Sequence, residues 1–528
     1  MPHLITNNSI KFFLLINFLF LISCSSSLLR PVEKTRFTEK LVNVQVQHPI
    51  IETQETDSQP LPIKNVWQRL FALYKFSNID NKRIQNELNW YRKHPEYIER
   101  VQKNAAPYLF HIVNEIEKRG LPGEFALLPI IESAYRPFAY SPGRAAGLWQ
   151  FIPSTGKSFG LKQTWWYDGR RDVLASTDAA LDYLDSLTAR FGGDWFLGLA
   201  AYNAGGGNIS KAIRRNKKHG KKTDYWSLKL NKETRLYVPK LIAISHILSH
   251  AEQYHVDLLA IPNEPYFTKV NTQKQIDLAR ASELASIDIE TLYKLNPAFN
   301  QWATDPNGPH YLLLPVDKAS RFEQQLSALP DKQRLKWQRH KVKQGETLSH
   351  ISAHYRTPIK LIEQTNHINN HRIRAGKFLL IPTASYQESL YTNSAPMRKK
   401  AIVNAKKSGL KLAYHVKRGD SFWTISRKHH VTVRQLARWN AMAPRDTLRI
   451  GQKLTIWQRN QRTSTHDNFK STFKNQTIRY TVRNGDSLYL ISKRFKVSIK
   501  DLRRWNSFNN KYLRPGRTLK IIVDVTRS

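Results

Sequence analysis

Residues 121–135 read LPGEFALLPIIESAY, and Glu132 closes a run from Phe125 to Ile131 that carries no charge. An ionised carboxylate is seldom buried without a partner. Either a helix ends here and Glu132 points to water, or Glu132 is held against an apolar wall, where burial raises its pKa and fits it to act as an acid. The residues around the run must decide between the two.

Upstream, RIQNELNWYRKHPEYIERVQ and PYLFHIVNEIEKRG place apolar residues three and four apart. Gly120 and then Pro122 close that helical stretch. Downstream, TDAALDYLDSLTARFGG and YVPKLIAISHILSHAEQY repeat the pattern. Residues 65–260 are therefore expected to form one mostly α domain of ordinary size.

Three stretches farther on align without gaps: ETLSHISAHYRTPIKLIEQTN (346–366), DSFWTISRKHHVTVRQLARWN (420–440) and DSLYLISKRFKVSIKDLRRWN (486–506). Each follows a β-like stretch ending in glycine and precedes a second short apolar strand. The pattern is strand, helix, helix, strand, over 340–383, 413–457 and 479–523. Units this small are marginally stable alone. The segments between them, 383–413 and 458–479, read as flexible basic linkers of about 30 Å reach, which would let the units move independently. Phe422, Trp423 and Trp439 are expected in the core.

The formal net charge is +42, and from Lys341 onward there are 39 Lys and Arg against 9 Asp and Glu. That surplus of 30 calls for a polyanionic partner: nucleic acid, anionic lipid or an acidic wall polymer. The N-terminus argues for export and against nucleic acid. Lys11 precedes a mostly apolar FFLLINFLFLIS, too short to span a bilayer, and the only cysteine of the chain follows at Cys24. Leu21-Ile22-Ser23-Cys24 resembles a bacterial lipobox. Residues 1–23 are accordingly expected to be a lipoprotein signal peptide, Cys24 the lipidated residue and 24–64 a polar tether. Ser25, with no Asp after the cysteine, implies the periplasmic face of the outer membrane by resemblance to bacterial lipoproteins.

The repeats resemble LysM modules, which bind polymers containing N-acetylglucosamine. The matching features are the loops Gly345-Glu346-Thr347, Gly419-Asp420-Ser421 and Gly485-Asp486-Ser487, with Asn366, Asn440 and Asn506 at the close. By that likeness the sugar lies between the first strand–helix loop and the loop before the last strand. The same residues also read as turns and helix caps.

Four stretches in the helical domain share an order: Glu132-Ser133, GLWQF (147–151), AYNAG (201–205) and ETRLYV (233–238). Together they resemble the lysozyme-like lytic transglycosylases of bacterial murein metabolism. The likeness implies a multidomain protein in which a mostly α, lysozyme-like catalytic domain precedes small α+β (βααβ) LysM modules. It makes Glu132 the catalytic acid/base and places Gln150, Tyr202 and Asn203 along the sugar groove. Tyr237 would support Glu132, and Ser133 would be a structural or transition-state hydrogen-bond partner.

Glycoside cleavage usually employs two carboxylates. Asp168 and Asp172 read as a salt-bridge cluster with Arg170 and Arg171, and Asp178 as the acidic start of a helix; Asp194 is a further candidate. One carboxylate suffices if the substrate supplies the nucleophile. Glu132 would protonate the bond between N-acetylmuramic acid and N-acetylglucosamine, then deprotonate the muramic C6 hydroxyl to close a 1,6-anhydro ring. No water, metal or cofactor is required, and the expected partner is the peptidoglycan glycan strand. A hydrolytic muramidase and an inactive wall-binding protein are the alternatives.

Residues 276–296 have the length of the repeat cores and end in the same Leu-x-x-x-Asn, between PYFTKVN and YLLLP. They suggest a degenerate LysM-like spacer over 265–320, against an unrelated helical linker. Gln273–Gln275 stand where the sugar loop would be.

Overall fold

The computed structural model describes residues 64–524, apart from 77–78, 80, 459–474, 496, 507–512 and 514. The expected signal segment, Cys24 and nearly all of the tether lie outside the described residues, as does most of the second linker.

Asparagine side chains start the first helices: Asn65 accepts from Trp67 N before α1 (Val66–Ala72), and Asn81 from Arg83 N before α2 (Lys82–Arg92). Pro95 opens the long α3 (Pro95–Lys118), whose buried face runs through Ile98, Val101, Ala105, Leu109, Ile112 and Ile116. That face is the floor on which the apolar run lies. The run is a 3₁₀ turn, Gly123–Leu127, continued by the short α4 (Leu128–Ser133), and Phe125 to Leu128 are fully buried. After α5 (Pro153–Ser158), the helices α6 (Val173–Arg190), α7 (Trp195–Ala204), α8 (Gly206–Lys218) and α9 (Lys232–Ser249) close the core around it. Asp172 caps α6, so Asp178 lies inside that helix and not at its start. It pairs with Arg119 at 2.8 Å. Asp168 does bind Arg170 and Arg171. Asp172, however, accepts from Tyr167 and Tyr311 hydroxyls rather than from an arginine.

Over 267–315 the chain folds as β1 (Phe267–Asn271), α10 (Leu278–Ala285), α11 (Ile289–Leu295) and β2 (Tyr311–Pro315). The strands pair antiparallel, Phe267 opposite Pro315 and Asn271 opposite Tyr311, and α12 (Val316–Ala328) packs against this unit. It docks on the helical domain: Tyr108 donates to Lys294 O at 2.8 Å, Asp168 N to Ala298 O at 2.8 Å and Tyr311 to Asp172 Oδ2 at 2.7 Å.

Three further units have the same order. The first pairs β3 (Lys336–Lys341) with β4 (Phe378–Thr383) around α13 (Leu348–Tyr355) and α14 (Ile359–Thr365). Beyond a connecting α15 (Ala395–Asn404), the second pairs β5 (Leu410–His415) with β6 (Lys453–Gln458) around α16 (Phe422–Lys428) and α17 (Val433–Trp439). The third pairs β7 (Asn475–Thr481) with β8 (Thr518–Asp524) around α18 (Leu488–Phe495) and α19 (Ile499–Asn506).

The asparagine that ends each repeat is the clasp of its fold. Asn440 donates to Leu436 O and Thr455 O and accepts from Thr455 N, all within 2.8 Å, tying the last helix to the closing strand. Asn366 and Asn506 make the same three bonds, and so does Asn296 in the unit beside the helical domain. A side chain with both an acceptor and a donor can satisfy both backbone polarities at once, which neither Asp nor Leu can do.

Two expectations fail here. Phe422 and Trp439 are core residues, but Trp423 is 59% exposed, because it stands on the outer side of the first turn of α16. The segment after 383 is not a free linker. Ser385 N and the Tyr391 hydroxyl both bind the buried Asp277, Ala395 N binds Asn300 O at 2.6 Å, and the Arg398 guanidinium lies over Phe138. The first two modules are thus joined through a segment fastened to the 267–315 unit.

Candidate active site

Glu132 is the penultimate residue of α4, and Ala134 and Tyr135 after it take left-handed φ values of 53° and 55°. Two such residues in succession turn the chain sharply away. The Tyr135 side chain is driven inward, where its hydroxyl binds Ala126 O, and Glu132 is left at the floor of a cleft. The cleft, about 480 Å³, is lined by Glu132, Gln150, Tyr202, Asn203, Glu233 and Tyr237 among others.

Three influences act on Glu132. Burial dominates and raises its pKa; the Tyr237 hydroxyl, donating to Oε1 at 2.6 Å, lowers it; and the charge of Glu233 raises it again. The result is a carboxyl pushed up to about 7. Glu233 and Tyr237 are four apart on α9 and so share the face turned to the cleft. The Glu233 contribution was missed in the sequence, although it stands at the head of the ETRLYV stretch.

The loop 147–150 is fixed by its carbonyls. Gly147 O accepts from Gln150 Nε2 at 2.8 Å, Leu148 O from Ser133 Oγ at 2.9 Å and Trp149 O from the Tyr202 hydroxyl at 2.8 Å. Gly147 itself has φ 82°, and a Cβ there would stand 2.1 Å from Arg170 O, so only glycine fits. Asn203 Oδ1 in turn accepts from Thr234 Oγ1 at 2.7 Å. The four sequence stretches are therefore tied to one another: Ser133 to the loop, the loop to Tyr202, Asn203 to Thr234, and Tyr237 back to Glu132. Of the two roles expected for Ser133, the geometry fits the structural one: its buried hydroxyl lies within hydrogen-bond distance of Pro129 O and Leu148 O and so ties the wall to the loop.

In the repeats, the acid of each loop is used locally. Asp420 Oδ2 accepts from Lys417 N and the Tyr414 hydroxyl, both at 2.7 Å, and Asp486 does the same with Arg483 N and Tyr480. Glu346 meets Lys343 N and His340. Backbone donation holds all three carboxyls below their usual range. Thr347, Ser421 and Ser487 accept from backbone N–H groups in the first helical turn. Gly345, Gly419 and Gly485, with φ of 76°, 85° and 87°, make the turn that precedes them.

An acid at the floor of a cleft in an α domain, followed by strand–helix–helix–strand repeats, is the arrangement that the resemblance to lysozyme-like lytic enzymes with LysM modules implied, and comparison with known proteins supplies the family. Residues 112–225 match the Transglycosylase SLT domain, 266–331 the LysM-like domain of lytic transglycosylase MltD, and 340–382, 414–457 and 480–521 the LysM domain. Membrane-bound lytic murein transglycosylase D of Escherichia coli K12 is 34% identical over 411 residues, 76% of this chain and 87% of that protein. An autolysin of Enterococcus faecalis is 28% identical over 34% of this chain and 23% of its own length. The 70 kDa soluble lytic transglycosylase of Escherichia coli aligns over 31% of this chain and 30% of its own, at 24% identity and a TM-score of 0.23. The chain belongs to the membrane-bound lytic murein transglycosylase D family. It is a peptidoglycan lytic transglycosylase that binds the wall.

Proposed function

We propose that Glu132 is the single acid/base of the reaction. The observation that carries this is a carboxyl held near pKa 7 at the cleft floor, with Tyr237 directed onto it. Near neutral pH Glu132 is poised between its two forms, as a group that first gives and later takes a proton must be. Neutral Glu132 protonates the oxygen between N-acetylmuramic acid and N-acetylglucosamine. The muramic 2-acetamido group supports the developing positive charge. The carboxylate then removes the proton of the C6 hydroxyl, which attacks C1 and closes the 1,6-anhydro ring without water. Gln150, Tyr202 and Asn203 line the groove for the sugars, and the three LysM loops hold the strand elsewhere along its length.

None of Asp168, Asp172, Asp178 and Asp194 lines the cleft. Asp194 caps α7 through Phe196 N and Leu197 N. Glu233 is the second carboxylate within reach, and its role in this reading is to keep the proton on Glu132. Mass analysis of products from purified sacculi tests the scheme. Anhydro ends that vanish in Glu132→Gln support it; products heavier by one water would move the reading to a hydrolytic muramidase with Glu233 as base.

For the finer location we propose that Cys24 is lipidated, becomes the new N-terminus on removal of residues 1–23, and anchors the protein at the periplasmic face of the outer membrane. Cys24→Ala should leave the protein unacylated. Retention of that variant in the outer-membrane fraction after a high-salt wash would refute the anchor.

A further inference from the structure

The rim of the cleft is the loop 139–146, of which Ser141 and Ala145 line the cleft itself. It is rigidly made. Ser141 N binds Ala145 O at 2.9 Å, Ser141 Oγ accepts from Ala145 N at 3.0 Å, and Arg144 O accepts from the buried Arg170 at 2.6 Å. The Arg144 side chain leaves this loop and meets the second LysM module. Its Nε lies 2.6 Å from Asp446 Oδ1, and Nη2 donates to Arg445 O at 3.0 Å. Asp446 Oδ2 meanwhile accepts from Ala443 N at 2.8 Å, so the carboxylate is oriented by its own turn.

The residue facing Arg144 is unusual for its module. Between 413 and 457 there are 9 Lys and Arg but two acids, Asp420 and Asp446, and Asp420 is spent within its own loop. The corresponding stretches of the other modules, 367–377 and 507–517, contain no acid. The second module is also held from behind. Arg398 packs on Phe138, two residues before Tyr140 of the rim, and α15 runs from there to lie against α17. Burial and then the Asp446 charge push up the Tyr140 hydroxyl, so the 443–446 turn stands near that end of the rim too. This turn belongs to the loop before the closing strand, the side of the module where the sugar site is expected.

We propose that the Arg144–Asp446 pair latches the second LysM module to the cleft rim, so that one glycan strand runs from that module into the cleft and is cut at a fixed distance from where it is held. The inference rests on the reading of Glu132 and of the LysM loops given above. Losing the latch leaves the cleft intact but lets the module swing, which lowers the effective concentration of a held strand at the cleft.

The test uses the full-length protein with long peptide-free glycan strands and with short soluble glycans. Asp446→Arg should lower kcat/KM on long strands by about three- to tenfold, through lost attraction and new repulsion. It should broaden the distribution of product lengths and leave turnover of short glycans within about twofold of wild type. The double variant Arg144→Glu with Asp446→Arg should restore both the rate and the lengths. Unchanged product lengths in Asp446→Arg, a loss the double variant does not repair, or a gain on both substrates (the mark of a gate) would each overturn the latch. Wild type run alongside separates the two ideas, because an error in the Glu132 chemistry shows as missing anhydro ends in wild type itself.

Discussion

The Tyr237 hydroxyl donates to Glu132 Oε1 at 2.6 Å, across 105 residues of chain, and opposes the burial that raises the pKa of the same carboxyl. The donor stabilises the charged form; Glu233 disfavours it. Substitution at the two positions should therefore move the pH profile in opposite directions. In Tyr237→Phe the alkaline limb of kcat/KM shifts upward, with a loss of about tenfold in rate as the carboxyl loses its orienting bond. In Glu233→Gln the limb shifts downward. Parallel shifts in both variants would show that something other than Glu132 titrates in the profile.

The same carboxyl links stability to pH. Its folded-state pKa is raised from 4.5 to about 7. The stability it contributes is thus fully present below about 4.5 and is lost as pH rises through 7. At about 1.4 kcal/mol per unit this amounts to roughly 3 kcal/mol, reduced to about 2 by water in the cleft. Glu132→Gln cannot ionise and escapes the loss. Its helical domain should melt higher than wild type at pH 8, with the two converging at pH 4, while cleavage falls by at least about a hundredfold. A variant that melts lower at pH 8 would mean that the ionised carboxylate is stabilised where it lies.

What could be read from the sequence has a physical cause here. The stretches ES, GLWQ, AYNAG and ETRLYV are recognisable together because their side chains and main-chain carbonyls bind one another around one cleft. The fold class was legible for a like reason, since a repeat that ends in a clasping asparagine shows that residue at a fixed place. The features that escaped depend on direction or on distance. Ser133 follows Glu132, but two left-handed residues come next, and periodicity cannot say which neighbour then faces the cleft. Trp423 and Phe422 are equally apolar, and only the start of α16 decides which one is covered. The 384–405 segment reads as a polar linker because its anchors, Asp277 and Asn300, lie about a hundred residues away.

The clasp makes a sharp prediction. Asn440→Ala strips Leu436 O, Thr455 O and Thr455 N of their partner in a buried place. The expected loss is about 2–4 kcal/mol, comparable to the whole stability of so small a unit. Hydrogen exchange should show the second module unprotected, while amides of the helical domain keep their protection and short glycans are still cleaved. Retained protection between 413 and 457 would mean that the module core holds without the clasp.

The attachment of the segment after the first module rests on Asp277. This carboxylate caps α10 through Ala279 N at 2.8 Å, accepts Ser385 N at 2.9 Å and receives the Tyr391 hydroxyl at 2.9 and 2.8 Å on its two oxygens. Burial raises its pKa, and these donors are what make the charged form tolerable. Tyr391→Phe removes one of them from a buried site, at about 1–3 kcal/mol. The aromatic ring stays, so the change is read on the hydrogen bond and not on packing. Freed of this bond, the segment should open more often, and trypsin should cut at Lys399, Lys400, Lys406 or Lys407 about tenfold faster, in proportion to the population of the open form. Turnover of short glycans should not change, since Tyr391 does not line the cleft. Cleavage by trypsin at the wild-type rate would show that Arg398 on Phe138 and Ala395 on Asn300 hold the segment unaided.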